Sequence, residues 1–371
     1  MIIKPVTYSY PNLSKIKDPS SFFEEMKVEY SNLLESNFFN VAKKSAIFVY
    51  RIQAKTRIYH GIIAGIDIDE YLKGKILKHE NTLPEQEKKI SLLTLQRKAI
   101  IKPVLLAHKF NPKISSLITK GFLGKKPRLR IKFDKDNQIH ELFAIESLKE
   151  IKAFQKEFKS KIDHCYIADG HHRMSTIKLL IDQNPELKNQ GLNYILCALF
   201  SFTELDILPY NRLVHILDIL ELSVILKEIS NFASIKKLKS PRLPNKKGEI
   251  ILHSSQGDYS ILWHKEIINR PNKEININFD IDLFNEFVLN IIFDIKDIRS
   301  NPRIHYVEGT KGNKLLLKGI AENKELIGFS FFPIKKTHFI KIANKNLILP
   351  PKSTWFEPRI KNGIIVQKIF E

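Results

Sequence analysis

Residues 166–180 read YIADGHHRMSTIKLL. An apolar run stops at Asp169-Gly170, two histidines and an arginine follow, and apolar residues then recur as Met174, Ile177 and Ile181. That spacing predicts a buried strand over 163–168 and a helix over 170–183, ended by Asn184-Pro185. A chain with this passage must place a tight strand-to-helix turn beside a sheet. The turn matters chemically. A helix start carries unpaired N–H groups and the positive end of the macrodipole, so it suits an anion. Gly170 lets backbone approach a ligand. Arg173 can fork onto phosphate oxygens. His171 or His172 can donate hydrogen bonds or move a proton. Asp169 can cap the helix or hold a magnesium ion that bridges phosphates.

Two other readings of the turn stay open. His164, His171, His172 and Asp169 offer donors for a transition metal, although neighbouring helical residues diverge by about 100°, so His171 and His172 do not readily share one ion. A capped helix with packed or solvated histidines needs no ligand at all.

The surrounding pattern is α/β. SAIFVYRIQ (45–53) and RIYHGIIAGIDI (57–68) predict a hairpin, as do PRLRIKF and QIHELFAI around DKDN. KPVLLAHK (102–109) and NYILCALF (193–200) predict buried strands, and a helix is expected from Pro84. Leu148, Ile151, Phe154 and Phe158 share one face of another helix. Strands alternating with helices argue for an α/β first domain, set at 1–212. From 213 to 371 the pattern changes. EIILHSS and DYSILWHK predict paired strands, DLFNEFVLNIIFDI an amphipathic helix and LIGFSFFPI a strand, which together predict an α+β domain.

Two further segments carry chemistry. KHENTLP (78–84) puts His79 and Glu80 just ahead of a helix, where a glutamate can take the proton of an attacking hydroxyl or simply favour the helix dipole. PPKSTWFEPRIKNG (350–363) is not tail composition, and Lys352, Ser353 and Thr354 either line an anionic pocket or seal the second domain.

The net charge of +20 fits nucleic acid or anionic small substrates, but lysine is spread along the whole chain with no basic stripe interleaved with aromatics, so nucleic acid is not the expected partner. No apolar run approaches the ~18 residues of a membrane span. The N-terminus lacks a signal-peptide hydrophobic region, which makes a cytoplasmic location the expectation. Cys165 and Cys197 sit in apolar runs and read as reduced core residues.

HENT (79–82), YIADGHHR (166–173), YNRLV (210–214), RIHYVEG (303–309) and PPKSTWFEPRIKNG, in this order, resemble the domain of unknown function 1015 (DUF1015) family. ADGHHR and PPKST are the most specific pieces. The family's first domain is similar to the ParB/sulfiredoxin fold, in which the strand-Gly-helix turn holds phosphate and some members are nucleotide-dependent kinases of free serine. The resemblance implies Glu80 as the base on the serine hydroxyl, with His172 as a further catalytic group. It implies a phosphate and nucleotide cradle of Gly170, His171, His172 and Arg173, joined by Lys352, Ser353 and Thr354. It assigns His79 and Arg212 to the substrate and Asp169 to the metal. The expected activity is a phosphotransferase interconverting L-serine and phosphoserine, with Mg²⁺ and with ATP, ADP or pyrophosphate as donor. A ParB-like nucleic-acid-binding regulator and a phosphoserine hydrolase are the alternatives. Sulfiredoxin's catalytic cysteine has no counterpart in the turn. Against the family's usual longer front, YSYPNLSK reads as a shortened remnant.

Overall fold

The computed structural model describes residues 1–270 and 278–369. The chain forms two compact units, Met1–Asp206 with the segment from Pro358 onward, and Ile207–Glu357.

Among the described residues the first unit carries a nine-stranded sheet. Its order is Ile76–Leu77, Cys165–Asp169, Val104–His108, Tyr194–Ser201, Ile58–Asp67, Ile47–Gln53, Gln138–Ile145, Leu129–Phe133, with Ile3–Lys4 added against Ile58–Asp67. Both expected hairpins form, and their strands pair antiparallel. The middle strands are apolar on both faces and fully covered, as Phe48, Ile63, Leu106 and Leu199 illustrate. Helices pack on them through the stripes read from the sequence. Met174, Ile177 and Ile181 are buried on His171–Gln183, and Ile151, Phe154 and Phe158 on Leu148–Lys161. Leu148 departs from its stripe. It opens the first turn of its helix and stays 74% exposed. Gly121, on the helix Pro112–Phe122, marks a close helix–sheet approach, since a Cβ there would lie 2.5 Å from Val49 Cγ2. Cys165 and Cys197 are free and buried, as expected.

The sheet is mixed but mostly antiparallel. Parallel pairing joins Cys165–Asp169 to Ile76–Leu77 and Tyr194–Ser201 to Val104–His108. Because Cys165–Asp169 runs antiparallel to Val104–His108, its C-terminal end meets the N-terminal end of that neighbour, and Asp169 pairs with Leu105. This brings Pro103 and Lys102 to the helix start.

The domain boundaries differ from those expected. The second unit begins at Ile207, ahead of 213, and residues from Pro358 belong to the first unit. The reason is strand pairing. Val366–Lys368 inserts between Tyr8–Pro11 and Ala99–Ile100 in a four-stranded sheet completed by Phe39–Val41. Gly363 N donates to Ile101 O at 2.7 Å, which runs the chain's last stretch past Lys102.

The second unit is built on an antiparallel six-stranded sheet in the order Ala233–Lys237, Gly257–Trp263, Glu249–Ser254, Leu326–Phe331, Tyr210–His215, Ile304–Glu308. The expected amphipathic helix is a short α turn, Asp280–Leu283, continued as a π-helix over Phe284–Ile292. Phe293 N donates five residues back to Val288 O at 3.0 Å, and the wider turn buries Phe284, Phe287, Val288 and Leu289 together. No helix among the described residues is long and apolar enough to cross a membrane.

Candidate functional site

The strand Cys165–Asp169 hands over to the helix His171–Gln183 through Gly170, whose φ of 104° is a conformation that suits glycine. The three residues after it then diverge. His171 turns inward and is buried, His172 lies half-buried, and Arg173 swings back under the turn.

Asp169 does not cap the helix. It sits among three cations. Arg173 Nη2 donates to its Oδ2 at 2.9 Å, Arg359 Nη1 donates to its Oδ1 at 3.0 Å, and Lys102 Nζ lies 3.2 Å from Oδ2. Burial works against the Asp169 charge, but Arg173, Lys102 and Arg359 together hold its carboxyl well below the usual range. The same burial lowers the Lys102 ammonium to about 8, partly opposed by Asp169. One carboxylate against three cations leaves a net positive cluster at a helix N-terminus, an arrangement that attracts phosphate. It also corrects the metal role expected of Asp169. A magnesium ion asks for several hard oxygen ligands, and here the carboxylate is claimed by two guanidiniums and an ammonium. Mg²⁺ does not fit at Asp169.

A cavity of about 340 Å³ adjoins the cluster. Ile90, Leu93 and Ile177 are among its apolar lining, and Arg97, Lys102 and Arg173 are its cationic lining. The Nε–H groups of Arg97 and Arg173 are buried with no hydrogen-bond acceptor among the described residues. Buried donors of this kind are costly unless an acceptor arrives. The lining suits an organic anion with an apolar body.

KHENTLP brings His79 and Glu80 to His171. Glu80 Oε2 lies 3.9 Å from His171 Nδ1. The His79 and His171 rings meet edge to face with centroids 4.4 Å apart. Burial drives the His171 imidazole down to about 3 and, with His171 beside it, pushes His79 well below the usual value. Both rings are therefore neutral near pH 7. His79, Glu80 and His171 each offer one donor atom, all within 4.8 Å of one another. The transition-metal set read from the sequence is not assembled. His164 is exposed, Asp169 is enclosed by cations, and His172 points elsewhere.

His172 Nε2 accepts from Leu83 N at 3.1 Å and so pins the start of the helix Pro84–Arg97. That bond gives a ring expected to act in catalysis a positioning contact. Arg212, expected at the substrate, is fully buried in the second unit. Its Nη1 donates to Tyr210 O and its Nη2 to Lys352 O, each at 2.9 Å, and its guanidinium lies 4.4 Å from the Tyr306 ring centre. Arg212 is thus a strut that anchors the PPKST segment, and this corrects its expected role. Ser353 is buried there, with its hydroxyl donating to Pro350 O at 2.6 Å, and Lys352 lies over the Tyr210 ring at 5.2 Å. Thr354 is half-buried in the same unit.

Sequence reasoning missed Lys102 and Arg359. Lys102 opens KPVLLAHK and Arg359 lies in EPRIKNG, so both were in quoted segments, but nothing local to either residue says that it meets Asp169.

A family described as "Protein of unknown function (DUF1015)" matches residues 4–284. No curated protein matches the chain. Among solved structures, SbnI with a C-terminal truncation from Staphylococcus aureus is 10% identical at a TM-score of 0.43, covering 81% of this chain and 87% of its own. A free serine kinase in complex with AMP is 13% identical at a TM-score of 0.37, covering 81% and 92%. A conserved hypothetical protein from Pyrococcus furiosus is 14% identical at a TM-score of 0.37, covering 83% and 95%. At TM-scores this low the likenesses carry no residue or activity over to this chain.

Proposed function

The chain belongs to the DUF1015 family, and on that premise we propose that its first unit is a ParB/sulfiredoxin-like phosphotransferase domain that moves a phosphoryl group between a nucleotide and the hydroxyl of free L-serine. The observation that carries the reading is the set of groups gathered at one turn. Glu80 stands 3.9 Å from His171, and Lys102, Arg173 and Arg359 gather around Asp169.

Phosphoryl transfer asks little covalent work of a protein and much positioning and charge stabilisation. The apolar walls of the 340 Å³ cavity take the base and sugar of the nucleotide. Lys102, Arg173 and Arg359, with the N–H groups at the start of His171–Gln183, take the phosphate oxygens. Glu80 accepts the proton of the serine hydroxyl as the oxygen–phosphorus bond forms and the bridging oxygen leaves with the nucleotide. His171, neutral and buried, fixes the Glu80 carboxylate without competing for the proton. His79 and His172 position the KHENT segment and the helix behind it. Run backward, the same groups return phosphate from phosphoserine to a nucleotide. A divalent ion carried by the nucleotide would supply further neutralisation of phosphate charge, and the residue roles above do not depend on a protein ligand for it.

The test is to incubate the protein with serine and, separately, ATP, ADP or pyrophosphate, and to detect phosphoserine by mass. Phosphoserine that appears only with one donor identifies that donor. No phosphoserine with any donor, and no consumption of phosphoserine with a nucleoside diphosphate, overturns the reading.

A further inference from the structure

His79 and Glu80 are consecutive residues of an irregular segment, and His171 opens the helix packed beside it. Two imidazoles and one carboxylate bring their donor atoms within 4.8 Å of one another, with both histidines buried and Glu80 half-buried. Donors around a first-row transition ion lie about 2.0–2.2 Å from it, so little movement separates this arrangement from ligation. Hard cations favour all-oxygen cages, whereas imidazole suits zinc and its neighbours. The donor set is that of three-ligand zinc sites that keep a fourth position open. Outer partners add to this. The His79 ring is hydrogen-bonded to the backbone carbonyl of Ile167, the kind of contact that fixes the orientation of a ligating imidazole. His171 Nδ1 faces Glu80 Oε2, while its Nε2 lies 3.5 Å from the His79 amide nitrogen, a contact at the outer limit of hydrogen bonding that ion binding through Nδ1 would give up.

We propose that His79, Glu80 and His171 form a binding site for a divalent transition-metal ion, and that the ion, by taking the Glu80 carboxylate, switches phosphoryl transfer off. Only the second half rests on the phosphotransfer reading. An ion on Glu80 withdraws the lone pair that would accept the hydroxyl proton, so occupancy and turnover exclude each other.

The experiment titrates the full chain with Co²⁺, without nucleotide or serine, and follows the visible bands of the bound ion. A parallel titration with Zn²⁺ follows the ring nitrogens of ¹⁵N-histidine-labelled protein by NMR. The expected result is saturation at one ion per chain, with shifts at two imidazoles. His79→Gln and His171→Gln should each weaken binding at least about 10-fold, with folding checked by thermal unfolding. The wild-type NMR titration keeps the test alive if either variant fails to fold. Absence of saturable binding, or binding that leaves the His79 and His171 nitrogens unmoved, overturns the site. Turnover that persists with the site saturated overturns the exclusion. An ion that binds at both imidazoles in a protein that never forms phosphoserine leaves the site standing and sinks the phosphotransfer reading, so the two fail separately.

Discussion

Arg359 and Asp169 are 190 positions apart, and their side chains are joined Nη1 to Oδ1 at 3.0 Å. The link exists because the chain's last strand returns to the first unit and pairs with Tyr8–Pro11 and Ala99–Ile100. It completes a ring of three cations around one carboxylate at the end of a strand and the start of a helix.

Two substitutions in that ring should move affinity and stability in different directions. Arg359→Ala removes a forked donor from the proposed phosphate oxygens. Hydrogen bonds to charged groups are worth about 1.5–3 kcal/mol, so nucleotide affinity should fall at least about 10-fold by calorimetry. Asp169→Asn leaves three cations without a counter-charge. The fold should lose stability in chemical denaturation, while nucleotide affinity holds or rises. Affinity lost in Asp169→Asn and kept in Arg359→Ala would contradict the assignment.

Lys102 gives the site an alkaline limit. Its ammonium titrates at about 8, so the cluster loses a charge as pH rises through that value. Nucleotide affinity should decline across about pH 7 to 9, and Lys102→Arg, whose guanidinium stays charged, should hold affinity to higher pH. An unchanged pH profile in Lys102→Arg would remove Lys102 from the phosphate contacts.

The buried imidazoles give the fold an acid limit. His108 is lowered to about 4 by burial, and His140 and His171 to about 3 for the same reason. A group whose folded value is depressed binds fewer protons in the native state than in the unfolded chain throughout that window. Stability therefore rises with pH between about 3 and 6.5 and is lost as pH falls below 6.5. Thermal unfolding across this range should show the midpoint dropping steadily with acid. His140→Phe should flatten the drop without abolishing it, since His79, His108 and His171 remain.

Much of the first unit was legible because its signals are local. The Met174, Ile177, Ile181 spacing is a property of one helix, and the two hairpins declare themselves in alternating apolar runs with short polar turns. The turn at Gly170 was legible for the same reason. The cluster was not. Lys102, Arg173 and Arg359 meet only because an antiparallel pairing sets Leu105 beside Asp169 and a C-terminal strand crosses back, and both events join distant segments. Arg212 shows the converse. YNRLV marks it as notable, but the burial that makes it a strut between Tyr210, Lys352 and the Tyr306 ring belongs to the folded second unit. The π-helix at Phe284–Ile292 likewise reads as an ordinary amphipathic stretch until its hydrogen bonds are seen.

Glu80 is the group proposed to take the serine proton. Glu80→Gln keeps the size of the side chain beside His171 and removes its ability to accept a proton. The decisive measurement is single-turnover formation of phosphoserine by wild type and by Glu80→Gln, with nucleotide binding measured on both. The account predicts a rate lower by about 10²–10⁴-fold with nucleotide affinity unchanged. A wild-type rate retained in Glu80→Gln would contradict it.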